Sequence, residues 1–462
     1  MESSWVTKPL GDMIALQRGH DLPSQNRKNG NIPIMGSSGV TGYHNEAKAP
    51  GYGVVVGRSG NSMGVVSCTP VDYWPLNTCL YVTDFKGNDE VYIYYLLKNI
   101  NFDQFNSGSA QKSLNRNAVY PYEIWVTEDN KEQKKIGEFL ADLEHKIELN
   151  TQINQTLEQM AQAVFKSWFV DFDPVKAKIS AKDAWINLHG VIPATDSPVY
   201  ADYAQSLCAT AMSVISGKTT AQLEAFATQN PEQYQSLKAT ADLFPDAMQE
   251  SELRDIPAGW EVKSLGEISE VITKGTTPRK PDILNAPDES NVPFIKVKDI
   301  LASGSIERSN LELIPTSVHS SYLKRSIVKE NDILFSIAGS IGRTAMVDKD
   351  LAGSNTNQAV GIIRLSDKNE HLSLVLMSIR SDRVKNDINS KVVQGVQANA
   401  SLANLKEIAI IVPPSVALSQ WNLLTKSLIQ EWRNKQMESR NLTQLRDTLL
   451  PKLLSGELNV TD

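Results

Sequence analysis

Cysteine, histidine and long apolar runs are scarce in this chain of 462 residues, and each scarcity removes a class of protein. Three scattered cysteines, Cys68, Cys79 and Cys208, make neither a disulfide framework nor a C-x-x-C pair. The six histidines (His20, His44, His145, His189, His319, His371) fall at no metal-ligand spacing. No apolar stretch approaches the roughly 20 residues that a membrane helix needs. The start, Met1-Glu2-Ser3-Ser4-Trp5, lacks the basic and then apolar layout of a secretory signal. A cytoplasmic protein with no membrane partner is expected. Cofactor motifs are missing as well. There is no Walker lysine loop. Gly51-Tyr52-Gly53-Val54-Val55-Val56-Gly57 is one residue off a dinucleotide fingerprint, and its glycines precede the strand instead of following it. Val412-Pro413-Pro414-Ser415 lacks the polar residue and the aromatic of the amino-methyltransferase motif. The reading therefore assigns no catalytic residue, no metal and no cofactor to this chain.

What is present is ordinary in amount and uneven in distribution. A hydrophobic content of 41% with 21% charged residues suits a folded protein, and the length exceeds what one core supports, so two or three domains are expected. A net charge of -7 argues against nucleic acid, because phosphate contacts need Lys and Arg. Residues 127–259, however, hold 11 basic and 20 acidic side chains, whereas residues 1–126 hold 10 and 10 and residues 260–412 hold 19 and 18. The acidity is central, and the flanking regions can each present a basic face without a basic total.

The chain repeats itself once. Trp5-Val6-Thr7-Lys8-Pro9-Leu10-Gly11-Asp12 recurs as Trp260-Glu261-Val262-Lys263-Ser264-Leu265-Gly266-Glu267, with Trp, Lys, Leu, Gly and an acid at the same spacing. Gly53-Val54-Val55-Val56-Gly57-Arg58-Ser59-Gly60 has its counterpart in Asp332-Ile333-Leu334-Phe335-Ser336-Ile337-Ala338-Gly339-Ser340, each a buried strand ending in a tight Gly/Ser turn. Gly108-Ser109-Ala110-Gln111-Lys112-Ser113-Leu114-Asn115 is echoed by Gly395-Val396-Gln397-Ala398-Asn399-Ala400-Ser401-Leu402, and each precedes a strand-like run, residues 123–126 and 407–412.

A long helical segment ends each half. Ile136, Leu140, Leu143, Ile147, Asn150, Asn154, Leu157, Ala161, Val164 and Trp168 step by four and three, the spacing of a coiled-coil seam. The same register, 285 residues further on, falls on Trp421, Leu428, Trp432, Leu442, Leu449 and Leu453, with Thr425, Lys435, Ser439 and Arg446 between them. Asn150 and Asn154 read as register-setting polar residues. Chain order requires the two helices to pair antiparallel, and about 40 residues at 1.5 Å rise span roughly 60 Å. The expected architecture is α/β (α+β): two globular mixed lobes joined by two long antiparallel coiled-coil helices, with an internal pseudo-two-fold repeat. Residues 176–259, acidic and broken by Pro193, Pro198, Pro231 and Pro245, read as a helical insertion plus linker, with a helix over residues 220–229.

Duplication and a helical spacer do not by themselves name a ligand. A single-chain methyltransferase or nuclease is opposed by the missing motifs, and a two-lobed scaffold for carbohydrate or protein would be separated by salt-sensitive duplex binding. Further residues carry a resemblance. The repeated starts, Ser167-Trp168-Phe169-Val170-Asp171-Phe172-Asp173-Pro174-Val175, the entry Ile256-Pro257-Ala258-Gly259-Trp260, and Leu445-Arg446-Asp447-Thr448-Leu449-Leu450-Pro451-Lys452-Leu453-Leu454-Ser455-Gly456-Glu457-Leu458 resemble the specificity subunits of type I restriction-modification enzymes over nearly the whole chain. The resemblance implies two target-recognition domains, residues 1–126 and 260–413. It also implies spacer helices at 127–175 and 414–462, with 176–259 as an acidic insertion. It further implies a non-catalytic subunit that binds double-stranded DNA at a bipartite, asymmetric site. Two adenine methyltransferase subunits and restriction/translocase subunits would join it, with S-adenosylmethionine and ATP only on those partners.

Base readout needs bidentate donors on loops held by a rigid core. In the first half the candidates are Asn26, Arg27 and Lys28, then Ser37, Ser38, Tyr43 and His44, then Arg58 and Asn61, and finally Gln111, Lys112, Asn115 and Arg116. In the second they are Lys274, Thr276, Thr277, Arg279 and Lys280, joined by Lys296, Lys298, Ser340, Arg343, Asn357, Gln394, Gln397 and Asn399. Lys, Ser and Thr are expected mainly at phosphates, and Arg, Asn and Gln at bases. Phe165 and Phe169, read as exposed beside a buried Trp168, are candidate anchors for the methyltransferase subunit, against the alternative that they pack into their own lobe.

Overall fold

The computed structural model describes residues 5–108, 111–391 and 399–460. The chain divides into two units, Met1–Asn154 with Arg433–Asp462, and Gln155–Trp432. In the first, β1 (Trp5–Pro9) passes through α1 (Leu10–Met13) into β2 (Ala15–Arg18). There follow β3 (Ile32–Gly36), β4 (Gly39–His44), β5 (Gly53–Gly57), β6 (Val66–Thr69), β7 (Trp74–Pro75) and β8 (Cys79–Asp84). α2 (Glu90–Lys98), α3 (Arg116–Val119) and β9 (Glu123–Thr127) complete this lobe. The strands form a sheet in the order β2-β8-β5-β6, a second in the order β4-β3-β7, and the pair β1-β9. Val54, Val55 and Val56 are fully buried, the continuous apolar run of a strand covered on both faces. α2 starts where the Asp89 carboxylate accepts the Tyr92 N–H, and it sends Tyr92, Ile93 and Leu97 into the core with Val54, Val56 and Leu80.

α4 (Asn130–Phe165) is followed by a π-helical turn, Lys166–Val170. Phe172 then takes a left-handed φ of 56°, and Pro174 sits in the first turn of α5 (Asp173–His189). The boundary drawn at residue 175 therefore falls inside a helix. The spacer segment breaks at the π-turn, and the acidic insertion begins with α5. α6 (Tyr200–Ser216), α7 (Thr220–Gln229) and α8 (Pro231–Asp242) complete the insertion around Cys208, Ala211, Met212, Leu223 and Ala241. α7 has the bounds read from the sequence, because Thr219 and Gln222 form a capping box. A short hairpin, β10 (Met248–Gln249) with β11 (Ile256–Pro257), leads into the second lobe.

That lobe contains β12 (Glu261–Ser264), β13 (Ser269–Lys274), α9 (Lys280–Leu284), β14 (Ser290–Ile295), β15 (Glu312–Pro315) and α10 (Thr316–Ser320). β16 (Ile333–Ser336), β17 (Thr344–Met346), β18 (Asn355–Thr356) and β19 (Val360–Leu365) come next. α11 (Lys368–Arg380), α12 (Asp382–Lys391), α13 (Leu402–Lys406) and β20 (Ala409–Val412) precede the last helix, α14 (Ser415–Leu454). Its sheets are β13-β19-β16-β17, β15-β14-β18 and β12-β20, the first lobe's map strand for strand. Even the parallel pair recurs, β3 with β7 and β14 with β18.

The match extends to single hydrogen bonds. Leu10 N and Gly11 N donate to the carbonyls of Tyr122 and Tyr120, and Leu265 N and Gly266 N donate to those of Ile408 and Lys406. Gly57 N donates to Val65 O, and Ser336 N to Arg343 O. One alignment shifts. Leu114 N donates to Arg58 O and Ala400 N to Ile337 O, so Leu114 corresponds to Ala400 and not to Ser401.

Every seam position from Ile136 to Trp168 and from Trp421 to Leu453 is buried or half-buried. Inside the first unit the helices run antiparallel, with Lys146 3.6 Å from Glu438 while Glu144 meets Arg446 at 3.0 Å. Asn150 is fully buried there beside Glu438, and its amide makes no hydrogen bond of good geometry. Glu144 also receives Lys98 and the Tyr95 hydroxyl (2.9 Å), which ties α2 to the spacer. Burial would raise this carboxyl, but Lys98, Tyr95 and Arg446 together outweigh it and hold it below the ordinary range. In the second unit, Phe165, Trp168 and Phe169 pack on Trp421 with ring centroids 5.8, 6.0 and 5.1 Å away. Phe165 and Phe169 are 6% and 4% exposed, so they belong to the core and are not surface anchors. Arg380, the last residue of α11, pairs with Glu158 of α4 at 3.1 Å.

Candidate nucleic-acid interface

In the first lobe three of the candidate loops meet. Arg58 N donates to Thr78 O (2.9 Å), Gly60 N to Lys112 O (3.0 Å), and the Ser37 hydroxyl to Thr78 O (2.7 Å). The bridge between Ser59 and Ser113 joins the β5–β6 turn to the loop before α3. Gly57 is required at this crossing, because a Cβ there would stand 2.0 Å from Ser62 O and 2.5 Å from Ser37 O. Ser38, Asn61, Gln111, Asn115 and Arg116 are exposed around the crossing. Arg58 is half-buried, and its guanidinium makes no hydrogen bond among the described residues. Asn115 caps α3 through the Asn117 N–H, and Arg116 donates to Leu16 O at 2.8 Å, so these two also serve the lobe's own structure. Lys112 is paired with Asp103 at 2.6 Å.

Asn26 instead ends a short turn, Ser24–Asn26, and Arg27 and Lys28 follow it against β4, where Arg27 donates to Thr41 O at 3.2 Å. Tyr43, on the same strand, is 59% exposed. His44 must be taken out of the contact set. It is 4% exposed, its Nδ1 accepts the Lys28 N–H at 3.0 Å, and its ring meets Trp74 edge-on. A side chain so enclosed holds the loop in place and does not face a ligand.

The second lobe builds the corresponding crossing. The bridge between Ala338 and Asn399 stands where Ser59 meets Ser113. Ser340 is exposed on the β16–β17 turn, and Arg343, at its end, donates to Ile300 O at 3.1 Å. The leading loop is fixed by Gly275, whose Cβ would stand 2.0 Å from Thr356 O, and by the Thr276 N–H to the same carbonyl (3.0 Å). Lys274 ends β13, Arg279 and Lys280 are exposed at the start of α9, and Thr277 bonds the Gln358 side chain. Asn357, half-buried between β18 and β19, uses its side-chain oxygen on the Ala359 N–H. Lys296 is paired with Glu312, and Lys298 is exposed. Gln394 and Gln397 lie outside the described residues.

The sequence reading missed Lys324 and Arg325. Both are exposed, and Arg325 donates to the Thr276 hydroxyl oxygen at 3.0 Å. Only the adjacent pair of basic residues signals them, and they sit 49 positions from Thr276 in the chain. Among the described residues no group of three or more His, Cys, Asp or Glu side chains could hold a metal ion. Burial raises the thiols of Cys79, to about 12, and of Cys208, to about 11, so neither is a ready nucleophile.

The arrangement defines a two-module recognition protein, in which one nine-stranded unit is used twice and each copy gathers polar loops onto a steric crossing of backbone. The family model described as the type I restriction modification DNA specificity domain matches residues 2–159 and 257–420, once for each copy. The chain belongs to this family of type I specificity subunits, and its role is recognition of DNA sequence without catalysis of its own. It is 33% identical over 336 residues to the type I restriction enzyme HindI specificity subunit of Haemophilus influenzae, covering 71% of this chain and 68% of that one. It is 24% identical over 379 residues to the MjaIX specificity subunit of Methanocaldococcus jannaschii, covering 80% and 69%. The crystal structure of the S subunit from M. genitalium superposes with a TM-score of 0.50 at 13% identity, covering 100% of this chain and 98% of that one, which shows the shared fold. The family match leaves out residues 160–256, which contain the helical insertion. No helix among the described residues is long and apolar enough to cross a membrane.

Proposed function

We propose that each lobe reads one half of a bipartite, asymmetric DNA site and that the chain directs an adenine methyltransferase and a restriction/translocase to it. The observation that carries this reading is the repeated backbone crossing, Ser59 with Ser113 and Ala338 with Asn399, dressed with different side chains in the two lobes. Two readers of one shape and different chemistry suit two unlike half-sites. Arg58, Asn61 and Gln111 are the base readers of the first lobe, and Arg343, Ser340 and Asn399 those of the second. Lys28, Lys274, Lys280, Lys298 and Arg325 hold phosphates.

Two methyltransferase subunits dock on the spacer helices. Exposed apolar side chains on them support this, Leu149 and Met160 on α4 and Leu423, Leu424, Met437 and Leu445 on α14. S-adenosylmethionine and ATP act on the partner subunits, and the assembly works in the cytoplasm. Co-expression with an adenine methyltransferase subunit, followed by mapping of methylated adenines, is expected to give one split motif. Methylation without sequence preference by a stable complex would refute the reading. Inserting about one heptad near Asn150 is expected to alter the length of the unread stretch between the half-sites. An unchanged stretch in the methylation map would reject the helices as a ruler.

A further inference from the structure

Residues 183–217 of the insertion hold three aspartates, Asp183, Asp196 and Asp202, and neither lysine nor arginine. The same stretch exposes large apolar side chains. Leu188 at the end of α5 is 79% exposed, Val191 and Ile192 in the connection to α6 are 67% and 39% exposed, and Val199 before α6 is 45% exposed. All four fall within twelve consecutive residues, 188–199. Single apolar side chains are ordinary on a protein surface, but a group of this density marks a contact. They take no part in the insertion's own core, which gathers around Cys208, Ala211, Met212, Leu223 and Ala241.

The surface is built in advance. Gly190 closes α5 with a φ of 80° and its N–H on Ile186 O (2.7 Å). The connection then folds into turns, with Ser197 N on Ala194 O (2.9 Å) and Tyr200 N on Ser197 O (3.0 Å). Rings join α5 to α6 beside it: the Trp185 centroid lies 4.3 Å from His189 and 5.4 Å from Tyr203, and Tyr200 lies 6.0 Å from Tyr203. A surface fixed in this way gives up little conformational freedom on binding.

Charge decides what fits it. Asp183 is near the end of α5, Asp196 falls between Ile192 and Val199, and Asp202 is in the first turn of α6. All three are exposed, and none makes an ion pair or a side-chain hydrogen bond among the described residues. The cations that border the stretch are committed elsewhere, Lys182 to Asp246 at 3.1 Å and Lys218 over the Phe226 ring at 5.0 Å. Apolar side chains among unpaired carboxylates repel phosphate and suit an apolar face bordered by Lys or Arg. We infer that this end of the insertion docks a cationic amphipathic helix of a partner protein, with the apolar stripe on Leu188, Val191, Ile192 and Val199 and the basic flanks toward the three aspartates.

The test is calorimetric titration of the full-length chain with a synthetic helical peptide of leucine and lysine, leucine on one face, and with its leucine and glutamate counterpart. One lysine peptide per chain is expected, with protection from hydrogen exchange centred on residues 183–203, and no heat from the glutamate peptide. Leu188→Ser and Val191→Ser leave the net charge unchanged and should each weaken binding about tenfold. Asp196→Asn should weaken it about twofold to fivefold. These side chains are exposed, so an unchanged melting temperature should accompany each loss. Equal affinity for the parent and the serine variants, equal heat from the two peptides, or protection elsewhere in the chain would mean unspecific attraction and overturn the inference. A concentration-dependent dimer in sedimentation that the serine variants abolish would overturn it too, because the occupant would then be a second copy. The methylated motif, mapped separately, decides the recognition role whatever this surface does.

Discussion

The first lobe and the second carry the same nine strands in the same partnerships, yet the side chains at matched loop positions are unrelated. Arg58 stands where the second lobe has Ile337, Val65 where it has Arg343, and Arg116 where it has Leu402. What is kept at the turn is backbone. Gly60 and Gly339 hold φ of 76° and 74°, and Gly64 and Gly342 hold 84° and 89°. A left-handed turn position excludes most side chains, so its shape persists while its neighbours vary. Framework and reading surface are thus separable, and the comparison can be broken by variants that act on one alone.

The largest effect is expected in the framework. Trp421 and Ile136 occupy the same register of the two seams, and both are almost fully buried, at 0% and 1% exposed. Trp421→Ala should cost about 3–5 kcal/mol and Ile136→Ala about 2–4 kcal/mol. Hydrogen exchange should locate the first loss in residues 155–432 and the second in residues 1–154 with 433–462. Uniform loss over the whole chain from either variant would show that the units do not open separately.

The lobes also differ in how they meet the spacer, through Glu144 with Lys98 in the first and through Arg380 with Glu158 in the second. Glu144→Gln should cost about 1–2 kcal/mol at neutral pH, less than a fully enclosed pair because the carboxylate retains some exposure. Its folded pKa is depressed, so its contribution is present above the unfolded value of about 4.3 and is lost as pH falls through the folded one. Urea midpoints of the parent and the variant should therefore converge below about pH 4. A gap that persists there would show that the amide acts by altering packing and not by loss of charge.

The smallest effects should be the most selective. Arg58→Ala should relax only one half-site and Arg343→Ala only the other, each by roughly 1–3 kcal/mol in competition binding. An equal loss on all sequences would mark either residue as a phosphate contact.

Much of the framework was legible because it depends on local spacing. The Trp-to-Gly repeat held to the hydrogen bond, and the four-three seam was buried along its length, since both follow from periodicities that the chain itself displays. The reading surface was less legible. His44 looked like a loop ligand because the sequence does not show that Trp74, thirty positions on, closes over it. Phe165 and Phe169 looked exposed because their cover, Trp421, arrives from the far end of the chain. Arg325 reaches the Thr276 loop only through the tertiary path that places it there. The one-position shift that pairs Leu114 with Ala400 was not legible, because the second half has no leucine between Gly395 and Leu402, and Leu402 lies two places beyond the residue that matches Leu114.

The most direct test of two independent readers is to replace residues 260–413 with the corresponding lobe of a relative and map methylated adenines after co-expression with the methyltransferase subunit. One half of the split motif should change, with the other half and the intervening length retained. A motif altered in both halves, or left intact, would contradict the assignment of one half-site to each lobe.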